Sequence, residues 1–314
     1  MCIDMTSRKA IRVLALITLQ FVALQAIAAT SSVLPTAFDD CTHNGGENRS
    51  VTTELAGVPA ILRIPAHPTK PPIILWHGFG APASEEALMQ ALPLDDVPAV
   101  KVYLGLPLFG KRALPGGTDE LVRRQKKDVG LEVFEPIVVG AANELPGVVR
   151  ELERRGCMKK GEKIGLFGFS AGGASALLSL AEHHVTVSAA VLLNPSTGLT
   201  ASVQAFERAT GQSYAWTPRS RALAARTDAA NHVSDIGKGT PPPAVLILDG
   251  AKDDLFAREG MTTLSDALAS YYAKAHADER FQHRIVEGLS HNITGSHSDD
   301  ELGRQVSAWF NRYL

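Results

Sequence analysis

The stretch EKIGLFGFSAGGASALL, residues 162–178, runs from an apolar segment through a cluster of glycines into small and apolar residues. Its centre, GFSAG, fits the pattern G-x-S-x-G, which places a serine on a sharp turn between a strand and a helix. Gly168 and Gly172 suit such a turn, because a Cβ at either position would collide with the neighbouring strand and helix. The stretch therefore predicts a buried strand, a strained Ser170 and a helix N-terminus that favours negative charge beside the serine. A phosphate-binding turn fits poorly, because the chain has no G-x-x-x-x-G-K-[ST] and no G-x-G-x-x-G with an acidic partner.

Apolar runs alternate with helical patterns along the rest of the chain. Most of the runs are nearly continuous, as expected of strands that helices cover on both faces. This alternation predicts an α/β fold with right-handed crossovers, a mostly parallel sheet flanked by helices, and ligands bound beyond the carboxyl ends of the strands. Strands are predicted within residues 58–66, 71–78, 99–108, 162–170, 188–196, 243–250 and 280–288. Helices are predicted over residues 118–128, 136–155, 172–184, 259–276 and 299–314.

An acid and a base follow Ser170 at the ends of late strands. Asp253 follows one strand in LILDGAKDDLF, and His291 follows the next in IVEGLSHNI. A serine needs an imidazole to remove its proton, and the imidazole needs a carboxylate that holds its tautomer and stabilises its charged form. We therefore predict Ser170 as the nucleophile, His291 as the general base and Asp253 as the acid that orients it.

Other acids and histidines compete for these roles. Asp254 adjoins Asp253, and Asp249 lies at the strand end, where its side chain is expected to point along the sheet or cap the loop. Asp253 is favoured because it lies three residues beyond Gly250. The histidines at positions 183, 184, 283 and 297 fall inside or beside predicted helices and strands, which leaves His291, in a loop, as the strongest base.

The loop LWHGFGAP, residues 75–82, directly follows a buried strand. Its His-Gly-x sequence resembles the oxyanion loop of serine hydrolases, and the backbone N–H groups of Phe79 and Ala171 are the expected oxyanion donors. Two preorganised donors matter, because the loss of one costs roughly 3 kcal/mol of transition-state stabilisation. His77 is expected to shape this loop by hydrogen bonding and not to transfer protons.

Four motifs in order, HGFG, GFSAGG, DGAKDD and GLSHN, resemble the α/β-hydrolase superfamily and its dienelactone-hydrolase-like and prolyl-oligopeptidase-like esterase branch. The resemblance covers residues 56–314 and implies a serine hydrolase that cleaves small-molecule carboxylic esters through an acyl-enzyme intermediate, without a cofactor. Dienelactone hydrolases typically carry Cys where this chain has Ser170, which argues against lactone chemistry of their type. A peptidase or amidase with the same residues, and a non-catalytic binding protein on this scaffold, are the alternatives.

Residues 196–242 form a connection longer than one crossover helix requires, and they predict a small helical lid over the site. Its aromatic residues Phe206, Tyr214 and Trp216 are expected either to line the site or to pack the lid onto the body. Residues 104–117 are a candidate for the opposite wall, where Lys111 and Arg112 face either an acidic substrate or solvent.

Composition limits the classes of partner. With 45% hydrophobic residues and a formal net charge of -2, the chain can bury a large core and has no strong excess of either charge. A nucleic-acid partner is therefore disfavoured. No H-E-x-x-H or C-x-x-C pair occurs and the histidines are dispersed, so no metal site is predicted.

Residues 1–28 are predicted as a cleaved secretory signal, because basic residues are followed by an apolar run and by an A-x-A site at its end. An uncleaved membrane anchor is the alternative, but the run is short and contains Gln20 and Gln25. We expect an exported protein, periplasmic or secreted, without a stable membrane anchor. Residues 29–55 are predicted as an N-terminal arm, loosely held over residues 30–50.

Removal of the signal leaves two cysteines, Cys41 and Cys157, in a compartment that permits disulfides. A single bridge from the arm to the body and two unpaired thiols are both compatible with the sequence. The pairing depends on whether their Cα atoms approach each other, which spacing does not determine.

Overall fold

A single sheet organises the part of the chain that the computed structural model describes, which comprises residues 41, 46–293 and 297–314. The strands are β1 Arg49–Leu55, β2 Val58–Ile64, β3 Lys70–Trp76, β4 Ala99–Leu104, β5 Ile164–Phe169, β6 Val187–Leu193, β7 Ala244–Lys252 and β8 Phe281–Ser290. Their order is β1-β2-β4-β3-β5-β6-β7-β8. The pairs β1–β2 and β2–β4 are antiparallel, and all further pairs are parallel. The predicted mostly parallel sheet is confirmed.

Helices cover both faces of this sheet, as the continuous apolar strands require. Along β3, Ile74 and Trp76 face one apolar layer, whereas Ile73 and Leu75 face the other. The first and last helices of the chain pack against the layer that contains Ile73 and Leu75. The other helices pack against the layer that contains Ile74 and Trp76. The helices are α1 Glu85–Ala91, α2 Gly117–Asp128, α3 Gly140–Arg154, α4 Ala171–Glu182, α5 Leu199–Thr210, α6 Pro218–Thr227, α7 Val233–Ile236, α8 Arg258–Lys274 and α9 His297–Tyr313.

Two elements differ from the sequence prediction near the N-terminus. Residues Arg49–Leu55 form the edge strand β1, a strand that the sequence prediction placed within the N-terminal arm. The strand was missed because five of its seven side chains are polar and only Leu55 is buried. Helix α1 was also missed; Ser84 caps it by accepting a hydrogen bond from the Ala87 N–H at 3.1 Å.

The region between α2 and α3 is a π-helix, Val129–Val139. Sequence patterns placed the start of a regular helix at residue 136, but α3 begins at Gly140. Pro136 lies inside the π-helix and has no N–H to donate, which disfavours a regular α-helix there. The first turn is fixed by Asp128, whose Oδ1 accepts a hydrogen bond from the Leu131 N–H at 2.8 Å.

A disulfide joins Cys41 to Cys157, with a Cα–Cα distance of 4.9 Å. It ties the segment before β1 to the turn after α3. Of the two possibilities that the sequence allowed, the structure therefore contains the bridge.

All described residues belong to one compact unit, Ala37–Leu314. The predicted signal over residues 1–28, and the predicted arm before Cys41, lie outside the described residues. Among the helices described, none has both the length and the apolar character that crossing a membrane requires.

Candidate active site

Ser170 lies on the turn between β5 and α4, with φ 54° and ψ -113°. Positive φ is strained for a residue with a side chain, and here close backbone packing holds it. A Cβ on Gly168 would lie 2.3 Å from the carbonyl oxygen of Gly172, and a Cβ on Gly172 would lie 2.5 Å from that of His77. The serine is 3% exposed, and the motif forms the strained turn that the sequence predicts.

The side chains of Ser170, His291 and Asp253 form a continuous hydrogen-bonded path. Nε2 of His291 lies 3.0 Å from Oγ of Ser170, and Nδ1 of His291 lies 2.8 Å from Oδ2 of Asp253. An ionised carboxylate only accepts, so the imidazole donates its Nδ1–H to Asp253 and presents Nε2 as the acceptor for the serine hydroxyl. The structure therefore brings together three residues that are far apart in sequence and were predicted to meet.

Packing holds this path in place. The side chains of His291 and Asp253 are each 10% exposed. The rings of Phe169 and Phe256 both lie with centroids 5.4 Å from the imidazole. The second oxygen of Asp253, Oδ1, accepts a hydrogen bond from the Leu255 N–H at 2.8 Å. The imidazole thus contacts two aromatic rings, and its tautomer is fixed by a carboxylate that is largely shielded from solvent.

The competing acids and histidines lie elsewhere. Asp254 is exposed, and Asp249 pairs with Nε2 of His283 at 2.7 Å. His184 pairs with Glu182 at the end of α4. The side chain of His297 lies outside the described residues.

The predicted oxyanion loop adjoins the serine. A Cβ on Gly78 would lie 3.0 Å from the Cβ of Ser170, so the backbone of this loop is in close contact with the nucleophile turn. Ala171 is the first residue of α4, where helix N–H groups have no partner within the helix. Phe79 and Ala171 line the same cavity as Ser170.

The ring of His77 stabilises that loop through hydrogen bonds. It is buried, its Nδ1 lies 2.8 Å from the carbonyl oxygen of Gly78, and its Nε2 accepts the Leu106 N–H at 3.1 Å. Burial lowers the pKa of His77 to about 4, so the ring is neutral near pH 7. His77 therefore shapes the loop by hydrogen bonding, as the sequence indicated.

A largely apolar cavity of about 410 Å³ opens beside Ser170. One wall comes from the π-helix, and the opposite wall comes from α5. The π-helix contributes Val129, Val133, Phe134, Ile137 and Val138, and α5 contributes Ser202, Ala205, Phe206, Ala209 and Thr210. Lys126 is the one charged residue of the described lining. The contribution of the π-helix was not foreseen, because nothing in its sequence distinguishes a cavity wall from core.

The predicted lid residues divide between the two expected roles. Residues 196–242 contain α5, α6 and α7, and Phe206 lines the cavity. Tyr214 packs instead against the body: its hydroxyl donates to Oδ1 of Asp128 at 2.7 Å, and its ring contacts Trp216 with centroids 5.0 Å apart.

The loop of residues 104–117 does not present its cations to the cavity. Arg112 forms a two-pronged ion pair with Glu144, with N–O distances of 2.5 and 2.9 Å. Neither Lys111 nor Arg112 is part of the cavity lining. Within the described chain, no three His, Cys, Asp or Glu side chains are grouped so that they could hold a metal ion.

Comparison with known protein families identifies the family to which the chain belongs. The sequence profile of the prolyl oligopeptidase family matches residues 142–314, more than half of the chain and the range that holds Ser170, Asp253 and His291. The chain belongs to the prolyl oligopeptidase family. No curated protein matches its sequence significantly.

Solved structures agree on the fold of this family member. TT1662 from Thermus thermophilus is 22% identical with a TM-score of 0.63, and the match covers 85% of this chain and 98% of that one. Carboxyl esterase 2 from the mycorrhizal fungus Tuber melanosporum is 17% identical with a TM-score of 0.56, covering 85% and 86%. Dipeptidyl peptidase 4 from Porphyromonas gingivalis is 14% identical with a TM-score of 0.54, covering 85% and 35%. The fold is that of the α/β-hydrolases, as the motifs indicated, and the match to the prolyl oligopeptidase family supports a hydrolase.

Proposed function

We propose that the protein is a serine hydrolase that cleaves carboxylic esters through Ser170, His291 and Asp253. The observation that carries the proposal is the hydrogen-bonded path from Asp253 to Ser170, which ends at the wall of the apolar cavity. Each residue has the donor or acceptor that nucleophilic catalysis by a serine requires.

In the acylation step, Oγ of Ser170 attacks the ester carbonyl carbon while Nε2 of His291 takes the hydroxyl proton. The carbonyl π pair moves onto oxygen, and the N–H groups of Phe79 and Ala171 stabilise that oxyanion. Asp253 holds the Nδ1–H and stabilises the imidazolium. The intermediate collapses by breaking the bond to the alcohol oxygen, which receives the proton from Nε2.

Deacylation repeats the sequence with water. Nε2 of His291 takes a proton from a water molecule while the water oxygen attacks the acyl carbon. The oxyanion again forms beside the N–H groups of Phe79 and Ala171. Collapse breaks the bond to Oγ of Ser170, which recovers its proton from the imidazolium. The acid product leaves and the enzyme returns to its starting state.

The residues that line the cavity favour an apolar substrate. No carboxylate lines its described walls, and side chains of Val, Phe, Ile and Ala dominate them. Burial of an alkyl chain is favourable by about 0.8 kcal/mol per CH₂ group. We therefore assign the cavity to the apolar part of an ester.

Family membership favours a second candidate, a peptidase or amidase, because the same residues cleave both bonds. Matched p-nitrophenyl esters and p-nitroanilides with the same acyl group separate the two. A higher kcat/KM for the ester, beyond the difference in intrinsic reactivity of the two bonds, supports the esterase; the reverse supports the peptidase.

Labelling with a fluorophosphonate probe tests the proposal directly. The wild-type protein should label at Ser170 and hydrolyse p-nitrophenyl butyrate, and folded Ser170→Ala should do neither. Ser179→Ala is the matched control, since Ser179 is buried in α4 and donates only to the Ser175 carbonyl at 2.8 Å. A folded Ser170→Ala variant with undiminished turnover would refute the mechanism, and a wild-type protein that does not label would favour a non-catalytic binding protein.

We also propose that the protein is exported, to the periplasm or the medium. Support comes from the pattern of residues 1–28 and from the Cys41–Cys157 disulfide, which suits an oxidising compartment. Cell fractionation with N-terminal sequencing tests this. Retention of the uncleaved N-terminus in the cytosol would contradict it.

A further inference from the structure

Asn194 lies immediately after β6, between the strand ends that carry the three site residues. It is 1% exposed and its φ is 41°. This left-handed conformation is uncommon for residues other than glycine, although asparagine adopts it more readily than most. A buried polar side chain on strained backbone requires a structural or functional reason.

Every hydrogen-bonding group of the Asn194 carboxamide is used. Its Oδ1 accepts the Gly250 N–H at 2.7 Å. Its Nδ2 donates to the carbonyl oxygens of Ser290 at 3.0 Å and His291 at 2.9 Å. The main-chain N–H of Asn194 also donates to the Leu248 carbonyl at 2.8 Å. One side chain thus joins the ends of β6, β7 and β8.

These bonds reach the two loops that carry the acid and the base. The carbonyl of Gly250 accepts the Asp253 N–H at 3.0 Å, so the residue held by Oδ1 also anchors Asp253. Nδ2 holds the backbone of His291 itself.

The residues on either side of Asn194 hold the nucleophile turn. The Ser170 N–H donates to the carbonyl of Leu193 at 3.0 Å, and the Ser196 N–H donates to the carbonyl of Ser170 at 3.1 Å. Asn194 itself is not part of the described lining of the apolar cavity. Any effect of Asn194 on the reaction therefore acts through the Asp253 and His291 loops, which its side chain connects.

We infer that Asn194 is a positioning residue whose carboxamide fixes the Asp253 loop against the His291 loop. The catalytic consequence rests on the proposed function. Two N–H donors and one acceptor are needed at this point, and only a carboxamide of this length supplies them. An aspartate has the same shape, but its ionised carboxylate donates nothing and would place oxygen against the two carbonyl oxygens of Ser290 and His291.

Asn194→Asp tests the inference, together with Asn194→Gly, which removes the carboxamide without adding charge and tolerates the positive φ. Tyr272→Phe is the control for lost stability, because it deletes a buried hydrogen bond to the Pro243 carbonyl at the other end of β7. In both Asn194 variants we expect kcat for p-nitrophenyl butyrate to fall about a hundredfold with little change in KM. In Tyr272→Phe we expect kcat to stay near the wild-type value.

Two further measurements need no ester. The Nδ1 proton that His291 donates to Asp253 should give a low-field ¹H NMR signal, which both Asn194 variants should weaken or lose and Tyr272→Phe should keep. Amide exchange should accelerate in residues 250–256 and 290–293 of the Asn194 variants. These readouts decide the positioning role even if the wild-type protein cleaves no ester, an outcome that would count against the proposed function alone.

Two results would overturn the inference. One is an Asn194→Gly protein with wild-type kcat and an intact low-field signal. That result would mean that the carboxamide is not needed and that Asn194→Asp acts only through its added negative charge. The other is an equal loss of kcat and of the signal in Tyr272→Phe, which would reduce the role of Asn194 to general stability.

Discussion

The carboxylate of Asp253 lies 2.8 Å from Nδ1 of His291 and is 10% exposed, whereas its chain neighbour Asp254 is exposed to solvent. The two acids share one loop and one sequence environment, yet only one of them is held against the imidazole. The difference arises from the loop backbone: the Leu255 N–H binds Oδ1 of Asp253 and turns Oδ2 toward His291.

This pair of acids gives the first prediction. Asp253→Asn removes the charge that stabilises the imidazolium and permits the wrong tautomer, so kcat should fall by roughly 10³–10⁴-fold. Asp254→Asn should leave kcat within about twofold, because surface substitutions away from a site are usually neutral. Steady-state kinetics with p-nitrophenyl butyrate, with circular dichroism as the folding control, measures both. Equal losses in the two variants would contradict the assignment of the acid.

The second prediction concerns the cavity. Ala205 lies on α5 in the cavity wall, so Ala205→Phe should fill space that an alkyl chain would occupy. We expect kcat/KM for p-nitrophenyl octanoate to fall at least about tenfold, with little change for the acetate. Gln204→Phe, on the exposed side of the same helix, is the control. If the octanoate-to-acetate ratio did not change in Ala205→Phe, the apolar chain would bind elsewhere.

Much of the fold could be predicted from the sequence, because parallel strands buried on both faces are continuous apolar runs. Strands β2 to β7 fall on such runs, whereas β8, FQHRIVEGLS, is an edge strand in which polar and apolar residues are mixed. Edge strand β1 could not be found this way, since five of the seven residues of RSVTTEL are polar and the segment resembles a polar arm. The short α1 depends on the cap at Ser84 more than on a long amphipathic pattern.

The residues of the site were predictable for a different reason. Few residues of the right type follow the ends of the parallel strands: a serine on a Gly-rich turn, an acid and a histidine. Because the carboxyl ends of parallel strands lie at one edge of the sheet, these residues are expected to lie close together. The cavity was not predictable, because its walls come from segments far apart in sequence whose contacts depend on packing. Tyr214 illustrates this: its hydroxyl contacts Asp128, at the junction of α2 and the π-helix, instead of the apolar cavity.

The third prediction concerns the disulfide. Cys41 and Cys157 are 116 residues apart, so the bridge restricts a long loop of the unfolded chain. In the chain-entropy account a loop of this length contributes about 5 kcal/mol, and disulfides typically contribute about 2–4 kcal/mol, so the Cys41→Ser/Cys157→Ser double variant should lose about 2–5 kcal/mol of stability. Urea unfolding at pH 7 measures the change. An unchanged midpoint would show that the bridge adds nothing to the folded protein.

The last prediction follows from the buried His77. Burial lowers its pKa to about 4 in the folded protein, below its ordinary value of 6.5. As pH falls from about 6.5 to about 4, the unfolded chain therefore binds a proton that the folded protein excludes, and stability declines. A tenfold change in proton affinity is worth about 1.4 kcal/mol, so this residue accounts for a loss of about 3 kcal/mol across that window and none above it.

His77→Gln removes this titration, although it also disturbs the hydrogen bonds to Gly78 and Leu106 and should be less stable than the wild type at pH 7. The informative quantity is therefore the pH dependence. Between pH 7 and pH 4 the free energy of unfolding should fall by about 3 kcal/mol less in the variant than in the wild type. Urea titrations at several pH values measure both curves. Parallel curves would mean that His77 takes up its proton equally in the folded and unfolded states, and that the oxyanion loop does not depend on a neutral imidazole.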